Sequence, residues 1–423
     1  MGYELIKKYW KIIVAILFAL ALTAGFFQRQ NLAEFSFGSR STVTHFTTQS
    51  ADTLEGYYNK AQDLIRGQNP KTEISFLAVG DIMLSRNVAA AIEKANNTNL
   101  PFEKMEDVLK STDFNFGNLE SPFASTSPII GGHSLIFNSP GNYIKSLVEY
   151  NFKILNLANN HALDQGLAGL LNTKKMLIDN GIQNIGNGKD LTEAWKPAIM
   201  EAKGIKICFL GASYASANDN GKTTNNYVAR IEDMENLKNV IAKAKTLCNF
   251  TVVAMHAGTE YARTPNDAQI NFAHTAIDEG ADMVIGSHPH WIQTIEQYAP
   301  NCPSPIHGEG TPSASEGRER LKCGDPKYIF YSLGNFIFDQ NWSQDTKQGL
   351  TLSITISSNQ AANPLAFKAA NTNDLQGQRQ PAKLESIELI PVIIENSQPR
   401  PTTPDETKKI LEKIGQTGNI LLP

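Results

Sequence analysis

Short apolar runs recur along the chain from Glu73 onward, and each stops at a residue able to ligate through oxygen or nitrogen. "FLAVGD" ends at Asp81, "FGNLE" at Asn118 and Glu120, and "LNLANNH" at Asn159, Asn160 and His161. "VVAMH" ends at His256, and "VIGSHPH" at His288 and His290. Runs this short and this apolar read as buried strands, with amphipathic helices between them at residues 87–95, 142–150, 168–180, 234–246 and 267–279. Such alternation confines the chain to the α/β class, and two later runs, "LTLSITIS" and "ESIELIPVII", read as antiparallel strands on the same core. Open α/β sheets carry their sites at the carboxyl ends of strands. A single Asp or His there is commonly a helix cap or turn residue. A succession of them points to a shared metal site.

The pair in "SHPHW" sharpens this expectation. Residues two apart in extended backbone point the same way, and Pro289 biases His288 toward extended geometry. Both imidazoles are therefore expected to face one point, with partners drawn from elsewhere in the chain.

The setting comes from the termini and the composition. With 423 residues, 41% of them hydrophobic, the chain can bury one large core or two smaller ones. A net charge of -4 with no basic block excludes a general nucleic-acid binder. No charge interrupts Ile12 to Phe27, and Lys7, Lys8 and Lys11 flank its N-terminal side. This predicts a single-pass transmembrane anchor over residues 1–28 in the cell membrane, with the remainder outside the cytoplasm; a cleaved signal peptide is the alternative. Residues 29–72 read as a polar stalk and 73–397 as the folded domain. The final segment, 398–423, reads as a helical tail. Four cysteines fit an exported protein. Cys302 and Cys323 bracket a Gly/Pro/Ser-rich insertion and are expected to bridge its base, whereas the sequence leaves the state of Cys208 and Cys248 open.

"VGDIML", "GNLESP", "LANNHALDQG", "MHAGTEY", "GSHPHWIQ" and "YSLGNFIFDQ" closely resemble, in this order, the CapA family of capsule-synthesis proteins linked to poly-γ-glutamate. That family is itself similar to calcineurin-like metallophosphoesterases. The resemblance covers about residues 73 to 345 and implies a four-layer α/β/β/α sandwich holding one or two divalent ions of Mn, Zn, Fe or Mg. It implies Asp81, Glu120 and His290 at a first metal, Glu120 being shared, and Asn160, His256 and His288 at a second. It also implies His161 as the acid that protonates a leaving group, with Asp164 orienting the imidazole. Asn118, Glu260 and Asn335 are expected to meet substrate, with Asp339 and Gln340 at the rim. One position departs: Met83 stands where metallophosphoesterases carry a histidine, and a thioether is a poor ligand for hard divalent ions.

Two functions are open to such a chain, with a mostly structural metal site as a third option. One is a membrane-anchored hydrolase or transferase acting on a phosphoester or a γ-glutamyl amide. The other is a non-catalytic subunit that holds an anionic polymer such as poly-γ-glutamate beside membrane-embedded capsule-synthesis subunits.

Overall fold

The structure is a computed structural model that describes residues 72–124, 135–214, 226–300, 324–358 and 381–421. The Ile12–Phe27 segment, the stalk and the Cys302–Cys323 insertion lie outside the described residues. Among the described residues, no helix is long and apolar enough to cross a membrane.

In chain order the strands are β1 (Thr72–Ile82), β2 (Phe114–Leu119), β3 (Phe123–Ala124), β4 (Ser139–Pro140), β5 (Phe152–Asn156) and β6 (Gln183–Ile185). Next come β7 (Ala198–Ala202), β8 (Ile205–Ser213), β9 (Phe250–His256), β10 (Met283–Ser287), β11 (Ile295–Tyr298) and β12 (Lys327–Phe330). The last are β13 (Asn335–Ile337), β14 (Gln348–Ser358), β15 (Lys383–Glu395), β16 (Gln398–Pro401) and β17 (Ile420–Leu421). One mixed sheet runs β16-β15-β14-β1-β2-β5-β6, with β13 also on β1 and β17 on β15. A second runs β11-β12-β10-β9-β8-β7, and β3 pairs with β4 apart from both.

Most apolar runs alternate between two buried faces, which is why they look continuous in the sequence. Ile74, Phe76 and Ala78 of β1 join one hydrophobic cluster with Phe250, Val252 and Ala254 of β9, so the two sheets pack face to face. Leu77 and Val79 turn the other way, onto Val88, Ala89 and Ile92 of helix Arg86–Ala95. Val253 and Met255 likewise meet Leu237 and Ile241 of helix Met234–Leu247 and Ala273 of helix Asp267–Asp278. The segment after Ser397, read from the sequence as a tail, is part of this body. β16 pairs with β15, and Ile410, Leu411 and Ile414 enter the cluster between the sheets. The sequence reading also missed β7, whose half-buried residues lack a long apolar run.

Gly80 lets β1 lie close against the chain just before β13. A Cβ there would lie 1.9 Å from the Gly334 carbonyl oxygen, and the neighbouring Asp81 N–H donates to that oxygen at 3.0 Å. Only glycine lets the two backbones approach so closely.

Cys208 on β8 and Cys248, just after helix Met234–Leu247, form a disulfide spanning a sequence separation of 40. Replacing both by serine is expected to cost about 2–4 kcal/mol, because the unfolded chain regains the closed loop's freedom. Urea denaturation of the oxidised protein and the double variant measures the difference.

Candidate metal centre

The strand registers bring the polar endings to one level. Asp81 of β1 stands beside Asn118 of β2, and Asn118 beside Asn156 of β5. In the facing sheet, Ser213, His256 and Ser287 align across β8, β9 and β10. Asp81, Glu120 and His256 are all fully buried, and one ligand atom of each lies within 4.8 Å of the others. The two sheets therefore supply one compact group able to hold a metal ion.

The remaining expected ligands surround it. His256 Nε2 lies 2.7 Å from Asn160 Oδ1, while its Nδ1 lies 3.0 Å from Ser287 Oγ and 3.1 Å from Asn118 Nδ2. The His288 ring centroid is 4.8 Å from that of His256. His290 Nδ1 is 2.9 Å from Asn335 Oδ1, which directs its Nε2 toward Glu120 Oε1 at 3.9 Å. Asp81 also receives the His288 backbone N–H at 3.3 Å.

The histidines reach these places by a route the sequence reading did not foresee. β10 ends at Ser287, and His288 and His290 then adopt φ of 102° and 60°. The expectation of extended backbone at His288 is thus incorrect. Two left-handed residues around Pro289 turn the chain sharply, and non-glycine residues pay strain for this conformation, a cost met characteristically at functional sites.

The donor set fits a divalent ion. Among the described residues, neither carboxylate oxygen of Glu120 has a hydrogen-bond donor, and the buried His288 Nδ1 has no partner either. Burial first, then the charges of Asp81 and Glu260, push the Glu120 carboxyl well above its usual range. A cation between these groups would relieve both the missing hydrogen bonds and the repulsion. Carboxylate, imidazole and amide oxygen suit Mn, Zn, Fe or Mg.

Burial and the neighbouring histidines also hold His256 and His288 well below the usual imidazole range. In chelated protein, the unfolded chain takes up protons at these positions below about pH 6.5, whereas the folded chain does not. Stability is full above that pH and is lost as pH falls. Glu120 has the opposite sign, since the folded chain takes up its proton first, and it offsets part of the loss. In a Glu120→Gln variant, which removes this opposing group, the thermal midpoint in chelator is expected to be lower at about pH 5.5 than at about pH 7. A rising midpoint would contradict these buried positions.

His161 stands at the edge of the group, its Nε2 3.8 Å from Glu120 Oε1. Its Nδ1 is 2.7 Å from Asp164 Oδ2, and the Phe137 ring stacks on it at 3.8 Å. The same Asp164 oxygen accepts the Phe137 backbone N–H at 2.6 Å, fixing the carboxylate.

Three residues expected at substrate fare differently. Asn118 is buried beneath the site: it donates to Asp81 Oδ1 at 2.8 Å and accepts from Asn156 and Asn159 at 3.1 and 3.3 Å. Asn335 is fully buried and orients His290, donating in turn to the Thr346 carbonyl at 2.9 Å. Both are buried and hydrogen-bonded to expected ligands, Asp81 and His290. Glu260 alone of the three is exposed. Met83 packs into the core between sheet and helix, its sulfur accepting the Ser85 N–H at 3.1 Å. Sequence reasoning missed Ser287 and Asn156, whose short polar side chains give no signal until the registers place them beside His256 and Asn118.

Bacillus subtilis (strain 168) PGA biosynthesis protein CapA is 31% identical over 274 residues, covering 64% of this chain and 65% of its own. Bacillus anthracis capsule biosynthesis protein CapA is 26% identical over 285 residues, covering 66% and 63%. This chain thus spans just under two thirds of the length of these curated relatives. Haemophilus influenzae NAD nucleotidase, a solved structure, aligns with 82% of this chain and 63% of its own at 13% identity and a TM-score of 0.42. The family model described as bacterial capsule synthesis protein PGA_cap matches residues 75–340, and the chain belongs to that family.

Proposed function

We propose that this chain is a membrane-anchored, extracytoplasmic protein of capsule or poly-γ-glutamate biosynthesis, with a metallophosphoesterase-type four-layer sandwich and a metal-dependent hydrolase or transferase site. The observation that carries this reading is the convergence of Asp81, Glu120 and His256 with an acid-base pair, His161–Asp164, at the same strand ends. Asp81, Glu120 and His290 would hold one divalent ion, and Glu120, Asn160, His256 and His288 another. Such ions polarise a phosphoryl or carbonyl oxygen and acidify water. The chain's own part is then to hold substrate against that centre and to deliver a proton from His161 Nε2, the nitrogen facing Glu120. Asp164 fixes the imidazole by its other nitrogen. The segment Ile12–Phe27 would tether the domain, and the partners would be an anionic polymer or phosphoester and membrane-embedded synthesis subunits.

A second reading, retention of an anionic polymer without turnover, is favoured by one observation: Met83 is committed to the core, so no ligand comes from that position. Asp164→Asn separates the two. With Mn supplied and bis-p-nitrophenyl phosphate or poly-γ-glutamate as probe, the wild type is expected to turn one of them over. The variant is expected to lose about 10–100-fold in kcat with its metal content unchanged. Binding of the polymer with no turnover of either probe would assign the second reading.

A further inference from the structure

We infer that Arg86 and Asp339 form a positioning device that sets the distance between His161 and His290. Its kinetic consequence rests on the hydrolase reading above, and its structural consequence does not. The contacts run from one histidine to the other. The Phe137 ring lies 3.8 Å from the His161 ring and at 20° to it. The Arg86 guanidinium carbon lies 4.7 Å from the Phe137 centroid and 5.6 Å from that of Phe338. Phe338 then meets the His290 ring at 4.8 Å and 61°. The two phenylalanines are themselves edge to face at 6.0 Å.

Asp339 locks this arrangement. It follows Phe338 in the chain and is ion-paired with Arg86, and its second oxygen accepts the Asn87 N–H at 3.1 Å. The helix Arg86–Ala95 lacks a side-chain cap from Ser85 and has no acid in its first turn. Asp339 therefore supplies the acceptor that this helix start lacks locally. The Ser85 hydroxyl is used elsewhere: it donates to the Asn138 carbonyl and accepts the Asn138 N–H, both at 3.0 Å. One turn of chain thus fastens the segment carrying Phe137 and the segment carrying Phe338.

The pair is 8% and 9% exposed, so the cation works in a setting where its counter-ion and the ring faces count for more than at a surface. Arg86 also holds a left-handed φ of 49°, a strain unusual outside glycine. Its planar fork spans two rings and a carboxylate together, which an ammonium does not reproduce. Because these contacts run through Phe137 and Phe338, Arg86 and Asp339 are positioning residues.

The test compares full-length Arg86→Gln, Asp339→Asn, their double variant and Arg86→Lys, by hydrogen exchange and by turnover of bis-p-nitrophenyl phosphate. Each single neutral variant is expected to raise exchange in residues 135–139 about tenfold or more, while Phe250–His256 keeps wild-type protection. kcat is expected to fall about tenfold or more with KM within about twofold, since misplacement of this kind costs rate and not binding. The double variant should be no worse than the worse single one, because either loss breaks the same device. Arg86→Lys should recover part of both signals. Wild-type exchange in residues 135–139, additive losses, or a raised KM with unchanged kcat would each overturn the inference; the last would make Arg86 a substrate-binding cation. If Arg86→Gln fails to fold, Asp339→Asn carries the same comparison. Absence of turnover in the wild type would defeat the hydrolase reading alone, leaving the exchange arm to decide.

Discussion

Replacing His256 with alanine is expected to strip the protein of tightly held divalent metal. His256 is fully buried, and it is the histidine of the three-residue group whose ligand atoms lie within 4.8 Å of one another. Without the imidazole, Glu120, Asn160 and His288 would face their ion with one strong neutral donor fewer. Loss of an outer support for a ligand costs about 10–100-fold in metal affinity, and loss of the ligand itself should exceed that range. Elemental analysis after gel filtration should find no metal above background in the variant and a retained ion in the wild type. Circular dichroism should be unchanged, because β9 is held by backbone pairing to β8 and β10.

A change far smaller in charge but larger in stability is expected at Phe209. This fully buried ring of β8 lies 5.6 Å from Phe76 and 6.0 Å from Phe114, edge on to both, and 5.3 Å from Phe116. These partners sit on β1 and β2, so Phe209 joins the two sheets directly. Phe209→Ala removes a large apolar volume that the rigid strands cannot fill, and should cost about 3–5 kcal/mol. Urea unfolding should show a lower midpoint with an unchanged slope. Metal affinity should fall too, although no ligand is altered, because Asp81 and Glu120 follow from one sheet and His256 and His288 from the other.

The strands and helices that build this arrangement were legible because β1, β2, β8, β9 and β10 are buried on both faces and so read as unbroken apolar runs. Their polar endings were legible for the same reason: Asp81 or His256 after such a run has no amphipathic alternative. The order of strands was not legible, since pairing is set by contacts between residues distant in the chain. That order decides that Asn118 lies under Asp81 and Ser287 beside His256. The burial of Asn118 and Asn335 was not legible, because an asparagine near a strand end looks the same whether it lies at the surface or beneath its neighbours. The turn at His288 and His290 escaped notice because proline biases its predecessor toward extended backbone, and local preference was overridden by the geometry of the site. The state of Cys208 and Cys248 was left open because their bond depends on how a helix returns to β9.

The buried Met83 also changes what engineering at that position should do. Sequence comparison alone suggests that a histidine there would complete the first metal site. Its packing with Leu84, Val88 and Ile92 puts the side chain in an apolar cluster, where an imidazole would lose stability before it gained a metal.

The most direct test of the account is the metal content of the wild-type protein after mild chelation. In the proposed assignment, Glu120, Asn160, His256 and His288 would give one ion a full oxygen and nitrogen set, whereas Asp81 and His290, sharing Glu120 and receiving nothing from Met83, would give the other a poorer one. One divalent ion per chain should therefore resist brief treatment with a chelator while a second exchanges. Two ions retained equally would contradict the inequality of the sites, and no retained ion in protein prepared with Mn or Zn would contradict the metal centre itself.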